Sequence, residues 1–212
     1  MTTYWQEWHE AYADESSPLS RRLRLVQDHV RQWLDERPEA DLTVVSACAG
    51  QGHDLLGVLG GRDDAHRVRA TLLETDPVNA AAARDAAERL GLSHVRVVEA
   101  DAGRLSSYAG AVPADLVLMV GVFGNITDDD VHRTVAALPQ LCAAGATVIW
   151  TRTREAPDLT PTLRTWLHDN GFVEEAFHAP DGVHFSVGVH RLTAEPRPLD
   201  EAGRMFTFVR GA

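Results

Sequence analysis

Residues 42–52, LTVVSACAGQG, set a short apolar strand (Leu42 to Ala47) directly against a glycine loop. Apolar spacing then predicts a helix to about Leu59. Glycines at Gly50 and Gly52 let the backbone come close to a ligand, and a helix start offers free N–H groups. The dinucleotide fingerprint G-x-G-x-x-G would place its third glycine at Leu55, which weighs against a nicotinamide site. A lone G-x-G is also what a tight turn needs, so the loop alone does not decide.

Working outward, strand and helix signals alternate. Val68 to Thr75 reads as a strand, Asp76-Pro77 as a cap, Val78 to Leu90 as a helix and Gly91 as its stop. Val95 to Glu99 is a strand, and Asp115 to Val120 has the continuous apolar run of a buried one. Thr127 with three aspartates opens a helix with acids at its positive end, and Pro139 kinks or splits it. Ala146 to Thr151 is a fifth strand, and Thr160-Pro161 caps a helix ended by Gly171. Phe172 to His178 and Val183 to Leu192 then form a hairpin about Pro180-Asp181-Gly182. The pattern predicts an α/β fold, a doubly wound and mostly parallel sheet with a terminal antiparallel hairpin.

Both ends lie outside this alternation. Thr3 to Ala13 is an aromatic helical pattern. Ser17-Pro18 opens a second helix whose stripe is Leu19, Leu23, Val26, Val30, Trp33 and Leu34. Residues 1–38 are expected as a helical cover, 39–193 as the main domain and 194–212 as a tail. An extra strand at Met205 to Val209 is allowed for, and the tail has no assigned role.

Composition narrows the function. The 212 residues carry a net charge of −11, against a nucleic-acid or acidic-membrane partner. All basic residues are Arg, which we read as the codon bias of a GC-rich bacterium. Cys48 and Cys142 make no disulfide framework, and with no signal sequence the expected location is the reducing cytoplasm. The longest apolar stretch, Leu116 to Phe123, is far short of the ~20 residues of a membrane span. Metal binding is not expected: His184 and His190 share a strand face but lie roughly 20 Å apart at strand rise.

Two acids stand at successive strand ends. Glu74 follows the second strand, where a carboxylate can grip ribose hydroxyls. Asp101, in Glu99-Ala100-Asp101-Ala102, follows the third. Each alone can be a surface or turn acid; loop and acids in this order are the stronger signal. The stretches SACAGQG, LLETDP, EADA, ADLVLMVGVFGNI and ATVIWTR, with the terminal hairpin, resemble the class I S-adenosylmethionine-dependent methyltransferases over about Leu42 to Leu192. GVFGNITDDD and WQEWHEAY are similar to a group of bacterial methyltransferases with unassigned substrates.

The resemblance implies a three-layer Rossmann-like fold with a seven-stranded sheet. Its cofactor is S-adenosylmethionine and its product S-adenosylhomocysteine. It implies that Ala47, Cys48, Ala49, Gly50 and Gly52 wrap the methionine part, that Glu74 holds the ribose and that Thr75 flanks the adenine. Asp101 would meet the adenine amino group with the Ala102 N–H nearby, and Val120, Gly121 and Val122 would floor the site. This chain departs from the family at Ser46, where an acid is usual, and at Cys48, where a glycine is usual. Asp54 or a cover residue is the expected substitute for the acid. Glu74→Ala is expected to weaken cofactor binding while barely changing the stability of the free protein.

The sulfonium is already electrophilic, so a base is needed only for an acceptor that loses a proton. Candidates are His9, Tyr12 and Asn125, with Asp14 on the cover as a further one. His9 near Trp5 and Trp8 is more often packing, and Asn125 can orient an acceptor or shape its loop. Trp5, Trp8 and Tyr12 share a helix face that either packs on the domain or forms a lid over substrate. Arg21 and Arg22 either pair with the cofactor carboxylate or are solvated. The expected acceptor is a small molecule, with O-, N- and C-methylation all open and a homodimer allowed for. Alternatives are a protein methyltransferase, a non-catalytic cofactor-binding module and, further off, a nicotinamide-dependent oxidoreductase.

Overall fold

The structure, a computed structural model, describes residues 17–38 and 40–209. The Thr3–Ala13 pattern, with Trp5, Trp8, His9, Tyr12 and Asp14, therefore lies outside the described residues. Seven strands form one sheet: β1 Leu42–Ala47, β2 Val68–Glu74, β3 Val95–Glu99, β4 Ala114–Met119, β5 Cys142–Thr153, β6 Phe172–His178 and β7 Phe185–Leu192. Their order is β3-β2-β1-β4-β5-β7-β6. β7 enters antiparallel between β5 and β6, and the other neighbouring pairs are parallel. The strand order reverses between β1 and β4, the place where open α/β sheets bind ligands.

Helices cover both faces. On one lie α1 Pro18–Asp35, α2 His53–Leu59 and α3 Pro77–Arg89; on the other lie α4 Asp128–Ala137 and α5 Thr160–Asp169. The helices start where the sequence places them. Ser17, Asp76 and Thr127 each accept a first-turn N–H, and Pro18 and Pro77 follow the first two. The stripe of α1 buries Val26, Val30, Trp33 and Leu34 against the core that holds Val187 and Val189. Its C-terminal carbonyls need partners. The buried Arg67 guanidinium supplies one, donating to the carbonyl of Leu34 and, beyond the helix, to those of Arg37 and Ala40, while paired with Asp64 at 2.9 Å.

Several expectations are corrected. β5 begins at Cys142 rather than Ala146, because Cys142 pairs with Ala114 before a register shift. Thr160 is the first helical residue of α5 and not its cap; Asp158 Oδ1 accepts the Thr160 N–H at 2.8 Å. The second hairpin strand starts at Phe185, leaving His184 in the loop, and both its faces are buried. On one of them Trp150 fills the space over Gly188: a Cβ there would stand 2.3 Å from the ring. Among the described residues the tail forms no strand, only a single bridge between Arg104 and Arg204. Met205 and Phe206 are both buried, and the tail's backbone pairs with loops rather than with a strand.

Candidate functional site

Four loops meet at the carboxyl ends of β1 to β4. In the first, Cys48, Gly50 and Gly52 adopt φ of 53°, 56° and 78°. Cys48 thus takes a left-handed conformation that normally favours glycine, at a cost of about 1–2 kcal/mol. It is the one positive-φ non-glycine among the described residues. The Ala49 N–H donates to the Leu73 carbonyl, seating the loop on β2.

Glu74 closes the corner. It is 7% exposed, its Oε2 accepts the Gly50 N–H at 2.7 Å, and its Oε1 accepts the Asp76 N–H at 2.8 Å. Burial raises its pKa, opposed by the N–H groups of Asp76, Gly50 and Thr75. The expectation that Glu74→Ala would leave stability almost untouched is therefore overturned, since two main-chain donors would lose their acceptor. Thr75 is exposed beside it.

Asp101 lies in the third loop. Its Oδ1 accepts the Gly103 N–H at 2.9 Å and its Oδ2 meets Arg204 Nη2 at 2.8 Å, with Arg104 Nε at 3.6 Å. The Ala102 carbonyl accepts the hydroxyl of buried Tyr108 at 2.9 Å, fixing the turn. The Cys48 thiol is pushed well up by burial, then by the charges of Glu74 and Asp101.

The fourth loop runs from Val120 to Asn125. The Gly121 N–H donates to Thr151 Oγ1 at 2.9 Å, and Asn125 Nδ2 donates back to the Gly121 carbonyl at 2.7 Å. Val122 is wholly buried, so only its main chain can border a ligand. Asp54, in the first turn of α2, has its carboxyl pushed up to about 6 by burial, with Arg22 acting the other way. Ser46 is buried in β1. The described residues hold no group of three or more His, Cys, Asp or Glu side chains placed for a metal, and no helix among them is long and apolar enough to cross a membrane.

Two contributors gave no signal in the sequence. Arg154 at the end of β5 donates to the carbonyls of Pro180 and Val183, holding the hairpin loop. Arg204 reaches Asp101 from 103 residues away. In both cases the partner is a loop atom that no periodicity points to.

No family model and no curated protein matches the sequence. Solved structures do match. Magnesium protoporphyrin IX methyltransferase from Synechocystis PCC 6803, with bound SAM, superposes at a TM-score of 0.66 and 16% identity, over 87% of this chain and 89% of that one. The 1,6-didemethyltoxoflavin-N1-methyltransferase of Burkholderia thailandensis, bound to 1,6-didemethyltoxoflavin and S-adenosylhomocysteine, gives 0.66 at 18% over 90% and 84%. An O-methyltransferase family protein of the same organism gives 0.64 at 15% over 82% of this chain, which spans 56% of that protein's length. The likeness is one of fold: the chain has the Rossmann-like architecture of the class I methyltransferases.

Proposed function

We propose that this protein transfers a methyl group from S-adenosylmethionine to a small-molecule acceptor, releasing S-adenosylhomocysteine. The observation that carries the reading is the 2.7 Å contact between Glu74 and the Gly50 N–H, which joins loop and buried acid in one corner at the strand-order switch. Such a carboxylate suits a ribose diol, since an ionised acid only accepts hydrogen bonds. A Cβ on Gly121 would meet no atom within 4 Å, so the floor of the site borders open space. The cofactor supplies an activated methyl group; the protein's part is to bind, align and exclude water.

In this reading Glu74 accepts from the ribose hydroxyls and Thr75 flanks the adenine. Asp101 accepts from the adenine amino group. Ala47, Cys48, Ala49, Gly50 and Gly52 border the methionine part through their main chain. Asp54, beside Arg22, takes the place of the acid usual at Ser46 and holds the amino group. Val120 and Gly121 floor the site, and Asn125, anchored through its amide nitrogen, offers its side-chain oxygen to the acceptor. His9 and Tyr12 are the proposed base and wall on residues 1–16. The left-handed Cys48 keeps the loop shape that glycine would give. The cytoplasm of a bacterium, a homodimer and no nucleic-acid partner complete the proposal.

The test is calorimetry with S-adenosylhomocysteine and NADH. Micromolar binding of the first, roughly −8 kcal/mol, and none of the second is expected. NADH binding without adenosyl-ligand binding would sink the assignment. Turnover against a metabolite panel then separates enzyme from module.

A further inference from the structure

The C-terminal tail lies across two of the four loops and reaches Asp101 and Asn125, both assigned to the proposed site. Residues 203–205 are stitched to the loop after β3: the Leu105 N–H donates to the Gly203 carbonyl at 3.0 Å, and the Met205 N–H to the Gly103 carbonyl at 2.7 Å. The fit leaves no slack, because a Cβ on Gly103 would stand 2.2 Å from the Phe206 carbonyl oxygen. Met205 and Phe206 bury their side chains in the core that also holds Ala102 and Tyr108. Farther on, the Thr207 N–H donates to Asp130 Oδ2 at 3.0 Å and the Val209 N–H to the Asn125 carbonyl at 2.9 Å. The tail thus fastens the Asp101 loop to the Asn125 loop.

Among the described residues, Arg204 is the one tail side chain aimed at an acid of the site. Its Nη2 meets Asp101 Oδ2 at 2.8 Å, while Nη1 donates to the Phe206 carbonyl at 2.9 Å and to Thr207 Oγ1 at 3.2 Å. The guanidinium is therefore braced by its own tail and not free to swing. With the Gly103 N–H on Oδ1, Asp101 has one fixed donor on each oxygen, which sets the plane of the carboxylate. A carboxylate held in this way presents acceptors and no donor to a ligand.

We infer that Arg204 is a positioning residue for base recognition: from the tail, it holds Asp101 as a fixed acceptor that selects a 6-amino purine over a 6-oxo purine. The inference rests on the proposed role of Asp101 in the adenosyl site. The 6-amino group of adenine donates to such an acceptor. The 6-oxo group of hypoxanthine brings a second acceptor to it, and the two oxygens repel. Without Arg204 the carboxylate turns about its side-chain bonds, and the distinction fades.

The experiment compares calorimetric affinities of full-length protein for S-adenosylhomocysteine and its deaminated counterpart, S-inosylhomocysteine. The variants are Arg204→Ala, Arg204→Lys, Asp101→Asn and the Asp101→Asn/Arg204→Ala pair. Wild type should prefer the adenosyl ligand, and Arg204→Ala should cut that preference roughly tenfold, the scale of one charge-assisted hydrogen bond. Arg204→Lys should restore part of it. Asp101→Asn should cut it too, with no further loss in the pair, because both changes remove one device. Arg104, 3.6 Å from Oδ2, could inherit the role, so Arg104→Ala/Arg204→Ala is measured alongside. Should Arg204→Ala unseat the tail and unfold the protein, Asp101→Asn reads the same ratio with the tail in place. An undiminished preference in Asp101→Asn or in the Arg104/Arg204 pair overturns the inference while leaving the cofactor reading intact. If wild type binds neither ligand, the cofactor reading itself has failed and the inference falls with it.

Discussion

The two ends of the sheet bury a titratable group in opposite ways. On the β1–β3 side, Glu74 is enclosed at the strand ends and held by main-chain N–H groups of Gly50 and Asp76. On the β5–β7 side, His190 is buried against Trp150, whose Nε1–H donates to Nδ1 at 3.2 Å. That places the imidazole proton on Nε2, facing Glu174 at 3.5 Å, and Arg164 binds both Glu174 oxygens. Burial drives the His190 pKa down to about 4, so the ring is neutral at pH 7. Each oxygen of Glu74 spends one lone pair on the backbone and keeps others at a cleft. Both nitrogens of His190 face side chains, Trp150 in the core and Glu174 at the surface. A group tied to the main chain at a sheet edge remains open to a ligand; one tied to side chains on both sides serves the packing.

Removing Glu74 should produce the largest effect. Glu74→Ala strips the ribose of its acceptor, and affinity for S-adenosylhomocysteine should fall about 10- to 100-fold. It also leaves the buried Gly50 N–H and the half-buried Asp76 N–H without their acceptor, at a cost of roughly 1–3 kcal/mol in the free protein. Calorimetry reads the first and chemical denaturation the second. A large stability loss with unchanged affinity would make Glu74 a loop fastener only, and the two corners would then be alike.

How much of this was legible varies by residue. Ser17, Asp76 and Thr127 announced their helices because capping is local chemistry, decided within three residues. β1 to β4 showed themselves as apolar runs. The start of β5 was hidden because Gly145, at φ of 73°, breaks the run between Cys142 and Ala146. β7 looked like a half-buried strand, with His184, Ser186, Gly188 and His190 on its polar face. It is in fact enclosed on both, because its position between β5 and β6 is a tertiary fact. The acids Glu74 and Asp101 were found through their places at strand ends. Arg204 was not, since a main-chain strap with consecutive buried residues has no period to detect.

His190 gives the next effect, through pH. Its folded pKa of about 4 lies below the ordinary 6.5, so the unfolded chain takes up the proton first as pH falls. The neutral ring's contribution is whole above pH 6.5 and is lost toward pH 4, by about 3 kcal/mol in all. His29 and His53 are also depressed by burial and act in the same sense, while the raised carboxyls of Asp54 and Glu74 act against it. The contribution is isolated by comparison with His190→Gln, whose amide oxygen can still accept from Trp150 and does not titrate. The stability advantage of wild type over this variant should shrink steadily between pH 7 and pH 4. A constant difference would mean that the ring is charged or solvated, and the contrast with Glu74 would lapse.

The smallest effect, and the finest test of the cofactor-side corner, is at Cys48. At φ of 53° a side chain crowds its own carbonyl, and glycine does not. Cys48→Gly gains that relief but loses a thiol packed against the core, and it loosens the unfolded chain. Cys48→Ala loses most of the thiol contact and keeps the strain. Comparing the two variants with each other cancels most of the packing loss, leaving backbone relief minus the entropy of the extra glycine. Cys48→Gly should therefore be more stable than Cys48→Ala by about 1 kcal/mol, read by denaturation. The thiol itself, raised by burial and by the Glu74 and Asp101 charges, should resist alkylation at pH 8 in the folded protein and react on unfolding. If Cys48→Gly were no more stable than Cys48→Ala, the loop would relax around the larger residue. The shape shared by Cys48, Gly50 and Gly52 would then be adjustable rather than fixed before a ligand arrives.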